Sequence, residues 1–534
     1  MAVRLPSSNS PYFPCARGLR QGCPLSPTLF TLLFDHLVDY LRDPVPFGQN
    51  SSDFALDEGV HVQGRGTVRA LLYADDVVLV ARSHDGMQAL LRRLRIFCTL
   101  WQLEVNVAKT KLMAAGRARP AHAHAPINMF GGQLEWVTAY KYLGVVFEAQ
   151  HGFGQGISGA QARARASMGR LYGFLRTHPE LRASADLRLR LFDTFVRPAG
   201  DYGSLVWCLP HTACTAPPSA SPEVVHLDFL RRLLFVPPST PIPALYRETD
   251  RHQWQERWGR AAIRFWNKQR DAARTLSTLT PWVLEANHQL WRGGAPHCWA
   301  SDFFAFLEPL PDPSLRERFR RGLNRLNEGY LLTAQRAAFH RTFWTRQDPD
   351  HPDDPSRRVT LADPRAAENQ HRCFATYLHW FWPSDSLRVA RADRKGRPRW
   401  STYLTSPTVP LPLARRVAAF RLGHPGLGVH QGRLLRPTAL PFAARRCTRC
   451  AQDALDDALH LLFECDGAGL AAARARHQPL LSRLPPFATQ PAAAALALAN
   501  TTTPATPNRI ASTASWLMTT TTRPLPPLPS TPSS

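Results

Sequence analysis

The alternation of apolar and polar positions changes rhythm several times along this chain. Near the amino terminus, "RQGCPLSPTLFTLLFDHLVDYLR" opens as a loop and then becomes periodic. Ser26 is suited to cap a helix and Pro27 to begin it, because the first helical position needs no N–H donor. Leu29, Leu32, Leu33, Leu37, Tyr40 and Leu41 follow at helical spacing and form a stripe. Residues 43–66, rich in Gly, Pro, Asp and Ser, read as loop. Two apolar runs, "VRALLYA" and "VVLVA", predict strands on either side of Asp75 and Asp76. A helix is expected from about Asp85 to Trp101, with Met87, Leu90, Leu91, Leu94, Cys98 and Trp101 on one side. "INMFGGQLEWV" predicts a hairpin turning on its two glycines, and "YKYLGVVF" predicts another strand.

From about residue 155 to 400 the period turns helical, with apolar stripes beside Arg-rich faces in "RARASMGRLYGFLR" and "RWGRAAIRFWNKQRDAAR". Pro-rich joints interrupt it, and residues 345–358, "TRQDPDHPDDPSRR", read as a polar linker. Beyond about residue 485 the chain is Ala, Thr, Pro and Ser, a composition that builds no core and is expected to be disordered.

A chain of 534 residues has room for two to four domains. Its net charge of +24 suits a partner with a phosphate backbone. Only five of its 65 basic residues are Lys, so a GC-rich coding sequence would also account for part of the Arg excess. The start "MAVRLPSSNSPYFPC" has no apolar signal core, and the run at 492–499 is too short to span a bilayer. These features predict a soluble, intracellular protein. Ten cysteines are too sparse for a disulfide-stapled scaffold. Seven are scattered singly and read as small buried hydrophobes.

Two adjacent carboxylates in an apolar strand require an explanation. A tight turn at Ala74, Asp75 and Asp76 would bring both acids towards one cluster, where they repel unless cations lie between them. Mg²⁺ prefers such oxygen ligands, and two such ions support an in-line phosphoryl transfer. An Asp-Asp pair alone is weak evidence, because a solvated hairpin turn is the commoner setting for one. Its neighbours change that balance: "RGLRQGCPLSPTLF" (17–30), "YADD" (73–76), "NVAKTK" (106–111) and "YKYLGVVF" (140–147) occur in this order. Together they resemble the reverse transcriptase of non-LTR retrotransposons. The resemblance implies an α+β fold, a partial right-hand polymerase palm of antiparallel sheet and helices. A mostly helical thumb and connector would follow it.

By that resemblance Asp75 and Asp76 bind catalytic Mg²⁺, and Gln21 and Gly22 lie against the incoming nucleotide and the template. Tyr73 stands beside them, though core packing is the plainer role for an aromatic residue. Lys109, or less readily Lys111, would sit near the triphosphate as a charge and proton donor. Tyr142, Leu143 and Gly144 would shape the primer grip. The implied partners are an RNA template, a DNA primer or target, and dNTP, in the nucleus and without a membrane. In the thumb-like region Arg163 and Arg170 are seven apart, hence on one helical face, which could track a duplex backbone and is equally readable as solvated surface.

The family also uses a third carboxylate on an earlier strand, and residues 1–16 hold no Asp or Glu. Asp35 and Asp39, on the helix after the RQG block, are poor substitutes. The sequence therefore suggests a truncated polymerase that is inactive alone, with a nucleic-acid-binding remnant as the alternative.

A second signal is Cys447-x2-Cys450-x9-His460-x4-Cys465. Its spacing suits tetrahedral Zn²⁺, with scattered buried thiols as the bland alternative. Similar motifs follow the reverse transcriptase in many non-LTR elements, where gripping nucleic acid is the implied role. Arg433, Arg436, Arg445 and Arg446 would assist through phosphate contacts. The expected organisation is a partial palm and primer grip at 1–150, a thumb-like region at 151–270 and a connector at 271–410. A zinc module at 411–470 and a tail at 485–534 complete it.

Overall fold

The computed structural model describes residues 22–42, 59–62, 66–115, 126–149, 154–182, 184–209, 221–238, 242–249, 253–272, 279–295, 298–307, 345–347, 358–360, 410–422, 446–454, 464–467 and 469–476, with single residues at 11, 240, 251, 404, 444 and 460. They fall into two units, residues 1–153 with 268–301, and residues 154–267 with 302–534.

In the first unit, helix α1 (Ser26–Arg42) buries only its second half, through Leu37, Tyr40 and Leu41. Leu29 and Leu32 are exposed, so the expected continuous stripe meets the core at one end only. Helix α2 (His84–Leu100) begins where the Ser83 side chain accepts the Gly86 N–H at 3.0 Å. It buries Leu90, Leu91, Leu94, Phe97 and Cys98 against α1 and against Leu112, Ile127, Met129 and Leu134. Each such leucine stabilises the unit by about 2 kcal/mol. Trp101, expected on the buried side, is exposed at the end of α2 and stacks on His36 with ring centroids 5.8 Å apart. Arg93 is buried because its guanidinium donates to the Leu41 carbonyl at 2.9 Å, closing the end of α1.

The strands are short pairs. Antiparallel pairs join β1 (Val60–Val62) to β2 (Gly66–Val68) and β3 (Ala70–Tyr73) to β4 (Asp76–Leu79). A short strand β5 (Lys111–Leu112) follows. Next come the antiparallel pair β6 (Asn128–Met129) and β7 (Gly132–Gln133), and β8 (Glu135–Trp136), which pairs with β5 in parallel. The last pair, again antiparallel, is β9 (Ala139–Tyr142) with β10 (Val145–Glu148).

Two sequence expectations are corrected here. "YKYLGVVF" is a hairpin rather than one strand: Tyr142 pairs with Val145, and Leu143 and Gly144 turn at φ 46° and 77°. Two successive left-handed residues match the twist of the flanking strands. The 128–133 hairpin turns on Phe130 and Gly131 (φ 48° and 79°), not on the two glycines. Gly132 instead lies within the strand, where a Cβ would come 2.9 Å from Val107 Cγ1. A third correction concerns the polar linker, because 345–347 pair antiparallel with 358–360.

In the second unit, helix α3 (Gly154–Thr177) packs on the helix Pro222–Leu234 and on residues 185–201, which continue through a π-turn at Phe192–Val196. The Glu223 carboxylate, 1% exposed, accepts from the Tyr246 hydroxyl, the Trp254 backbone N–H and His226 Nδ1. Asp201 accepts the indole N–H groups of Trp254 and Trp258 and the Arg257 guanidinium. Gly200 lets the Trp254 ring lie against the backbone, since a Cβ there would run into it. Arg415, on the helix Leu411–Arg421, donates to the carbonyls of Leu233 (3.0 Å) and Arg232 (3.1 Å). Those carbonyls end the helix Pro222–Leu234, where Phe235 turns left-handed at φ 58°. Among the described residues, no helix is long and apolar enough to cross a membrane.

Candidate active site and metal centre

The hairpin β3–β4 carries the Asp pair at its tip. Tyr73 pairs with Asp76, leaving Ala74 and Asp75 as the two turn residues. Ala74 has φ 53°, a left-handed conformation that costs a non-glycine residue about 1 kcal/mol. Leu72, Val77 and Leu79 root the hairpin on the core formed by α1 and α2. Asp75 and Asp76 are both exposed, which corrects the expectation of a part-buried cluster. In open water neighbouring carboxylates tolerate one another, so their mutual repulsion no longer demands cations. Tyr73 is 63% exposed and does not pack in the core.

An electrostatic influence links this tip to the next hairpin. The Tyr142 hydroxyl is held above its usual pKa by partial burial, and also by the negative charge of Asp76. Tyr142 ends β9, and Leu143 and Gly144 form the turn beyond it. The acid tip and the Tyr-Leu-Gly turn therefore lie within electrostatic reach of each other. Gly22 adopts φ 81° with open space where a Cβ would stand, so backbone angle rather than crowding accounts for glycine there. Gln21 lies outside the described residues. Asp35 and Asp39 are exposed on α1, as surface acids.

The two lysines of "NVAKTK" have different surroundings. Lys111 Nζ is 2.6 Å from Glu135 Oε2 across the parallel pair β5–β8. Lys109 is exposed, in a turn whose backbone is held by Asn106. Sequence reasoning missed Asn106 and Glu135. An Asn three residues before the lysine was the available signal for the first, since Asn side chains bond backbone N–H groups in turns.

Arg163 is occupied internally, donating to the carbonyls of Ala199 (3.2 Å) and Tyr202 (3.3 Å), which corrects its expected place on a duplex-tracking face. Arg170 remains exposed and donates to Ser167 Oγ at 3.1 Å.

The second unit brings Cys447, Cys450, His460 and Cys465 together, with all four ligand atoms within 4.8 Å of one another. Cys447 Sγ and Cys465 Sγ are 3.7 Å apart, far beyond a disulfide bond. Tetrahedral zinc with Zn–S bonds near 2.3 Å would separate two thiolates by about 3.8 Å. Cys450 Sγ lies 3.2 Å from His460 Nε2, while His460 Nδ1 is 3.5 Å from Glu464 Oε2. The donor set, two soft thiolates at tetrahedral spacing plus a third thiol and an imidazole, fits zinc. Burial raises both Cys447 and Cys465, the latter to about 11. At Cys447, hydrogen bonds from the Arg449 N–H and neighbouring thiols outweigh burial and lower its pKa.

Comparison with known proteins extends the first of these sites. Residues 3–147 match the family described as reverse transcriptase (RNA-dependent DNA polymerase). Over 175 residues the chain is 29% identical to a transposon-derived protein of Caenorhabditis elegans, which covers 33% of this chain and 59% of that protein. It is 32% identical over 142 residues to the retrovirus-related Pol polyprotein from type-1 retrotransposable element R2 of Nasonia vitripennis, covering 25% of this chain and 12% of that one. An RNA-directed DNA polymerase from transposon X-element of Drosophila melanogaster is 25% identical over 215 residues, covering 39% of this chain and 21% of the relative. Each match spans less than two thirds of the relative's own length.

Proposed function

We propose that this chain, whose residues 3–147 match the reverse transcriptase family, derives from a non-LTR retrotransposon and contributes to RNA-directed DNA synthesis. It would extend a DNA primer or target on an RNA template, using dNTP. In this reading residues 1–150 are a partial palm and primer grip, 151–270 a thumb-like region, 271–410 a connector and 411–470 a zinc module. Synthesis onto DNA would take place in the nucleus.

Asp75 and Asp76 would hold Mg²⁺, whose chemistry is to lower the charge barrier around the α-phosphate. The primer 3′-hydroxyl oxygen bonds to the α-phosphorus while the bond to the bridging pyrophosphate oxygen breaks. The hydroxyl proton leaves to water, and Lys109 gives a proton to the departing pyrophosphate. Gln21, Gly22 and Tyr73 would border the nucleotide and template, and Tyr142, Leu143 and Gly144 the primer end. Cys447, Cys450, His460 and Cys465 would hold Zn²⁺, fixing a small basic module against nucleic acid.

The observation that carries this reading is the match of residues 3–147, which include the Asp75–Asp76 hairpin and the Tyr-Leu-Gly turn, to the reverse transcriptase family. A second reading, a nucleic-acid-binding remnant without catalysis, draws on a different observation. Asp75 and Asp76 are both exposed to water at the tip of their hairpin.

Primer extension by the full chain on an RNA template, with dNTP and Mg²⁺, separates the two readings. Incorporation that D75N and D76N each abolish supports the polymerase. Salt-sensitive duplex binding without incorporation supports the remnant, and absence of both refutes each.

A further inference from the structure

Lys109 is presented by a turn that Asn106 holds through both its backbone carbonyl and its side chain. The Lys109 N–H is shared between the two oxygens of Asn106, 3.1 Å from the backbone carbonyl and 3.1 Å from Oδ1. The same Asn106 carbonyl accepts the Thr110 N–H at 3.0 Å and the Thr110 hydroxyl at 2.9 Å. On the far side the Tyr140 hydroxyl, from β9, reaches the Lys109 carbonyl at 3.4 Å. Beneath the turn Val107 packs into the space that Gly132 leaves open. Lys111, two residues on, is committed to Glu135 at 2.6 Å, whereas Lys109 makes no ion pair among the described residues.

We propose that Asn106 is the positioning residue for Lys109, fixing the backbone from which the lysine meets the pyrophosphate end of a Mg²⁺-bound nucleoside triphosphate. The proposal rests on the polymerase reading above and goes beyond it by naming what aims the lysine. A lysine side chain has four rotatable bonds and directs its charge poorly unless its backbone is already ordered. Asn106 supplies that order with an acceptor that is neutral, so the ammonium it presents remains free for phosphate. It also separates the two lysines: β5 pairs Lys111 with Glu135, while the turn before it leaves Lys109 projecting. A serine at 106 could make the same side-chain bond to the Lys109 N–H, whereas an alanine could not.

The test uses the full chain and inorganic pyrophosphate with Mg²⁺, measured by calorimetry, for wild type, K109A, N106A and N106S. Amide hydrogen exchange at Lys109 is followed in parallel. The expected result is binding weakened about tenfold by K109A and by N106A, the loss of one charge-assisted contact, with N106S within about threefold of wild type. Exchange at residue 109 should accelerate about tenfold in N106A and stay slow in K109A, which keeps the turn. If K109A loses binding while N106A does not, the proposal is overturned and the phosphate role of Lys109 stands. If N106S is as weak as N106A, the side-chain bond is not what matters and the proposal likewise falls. If wild type binds no pyrophosphate, or K109A binds as wild type does, the reading of Lys109 fails and takes the proposal with it.

Discussion

Replacing Glu223 with Ala should be among the most destabilising single changes in the second unit. The carboxylate is buried and accepts from three donors on three helices: His226 Nδ1 in its own helix, the Tyr246 hydroxyl, and the backbone N–H of Trp254. Truncation removes the Glu223 acceptor from all three donors in a buried interior. Each orphaned donor costs about 1–3 kcal/mol, and the cavity from the lost side chain adds about 1 kcal/mol. Water entering the cavity would recover part of that, so about 4 kcal/mol is the expected loss. Glu223→Gln keeps the volume and one acceptor oxygen but turns an NH2 towards a donor, and about 2 kcal/mol is expected. Urea unfolding followed by tryptophan fluorescence reports directly, since Trp254 touches the carboxylate. A midpoint for E223A within about 1 kcal/mol of wild type would show that these donors have other acceptors, and would refute the reasoning.

Four further outcomes are expected. Chelation of bound metal should open residues 446–476 to protease, and C465S should lose its zinc; undiminished protection after metal removal would sink the assignment. Burial, opposed by Glu223, holds the His226 pKa below its ordinary 6.5. Below about pH 6.5 the unfolded chain takes up a proton that the folded one refuses, so stability is full above that pH and falls as pH drops; a flat urea midpoint between pH 7 and 5 would contradict this. Gly200→Ala should destabilise by about 2 kcal/mol through the Trp254 ring it displaces, measured as a lowered urea midpoint and absent if the ring can swing aside. Binding to an RNA–DNA duplex should weaken steeply between 50 and 200 mM salt, by about tenfold or more if only a few phosphates are contacted, and salt-independent affinity would exclude phosphate contacts.

The elements most legible in the sequence were those written in local chemistry. The apolar spacing of α2 placed its start within a residue of where the helix begins, and the strands around the Asp pair followed from their composition. Errors came where the answer depended on partners distant in the chain. The stripe of α1 was correct in period, yet which half it buries is decided by α2 and Leu112, far downstream. The choice of Phe130 and Gly131 for the turn is invisible locally, because two adjacent glycines favour the rival register; Val107 makes Gly132 a packing residue instead. Arg163 looked like a surface cation because helical spacing gives a face and not what covers it, and Ala199 and Tyr202 supply the cover. That Cys447, Cys450, His460 and Cys465 come together was legible from their short spacings, and their ligand atoms lie within 4.8 Å of one another.

The same contrast separates the two candidate sites physically. At the Cys/His cluster the ligand side chains are mostly buried, with His460 2% exposed, so four polar groups are held together in a setting that favours a shared ion. At the acid tip burial does none of this, because Asp75, Asp76 and Tyr73 all face water. What the fold supplies there is backbone geometry: a left-handed Ala74 that sharpens one hairpin, a left-handed Leu143 that turns its neighbour, and an Asn106 turn that presents Lys109. Such strain persists only where packing beneath it is strong, and for the Ala74 hairpin α1 and α2 provide that packing. Charges aimed from rigid turns into open solvent interact weakly with one another until a substrate excludes the water between them. Catalysis at this tip would therefore depend on what a bound template, primer and nucleotide cover, far more than on any attraction among its own side chains.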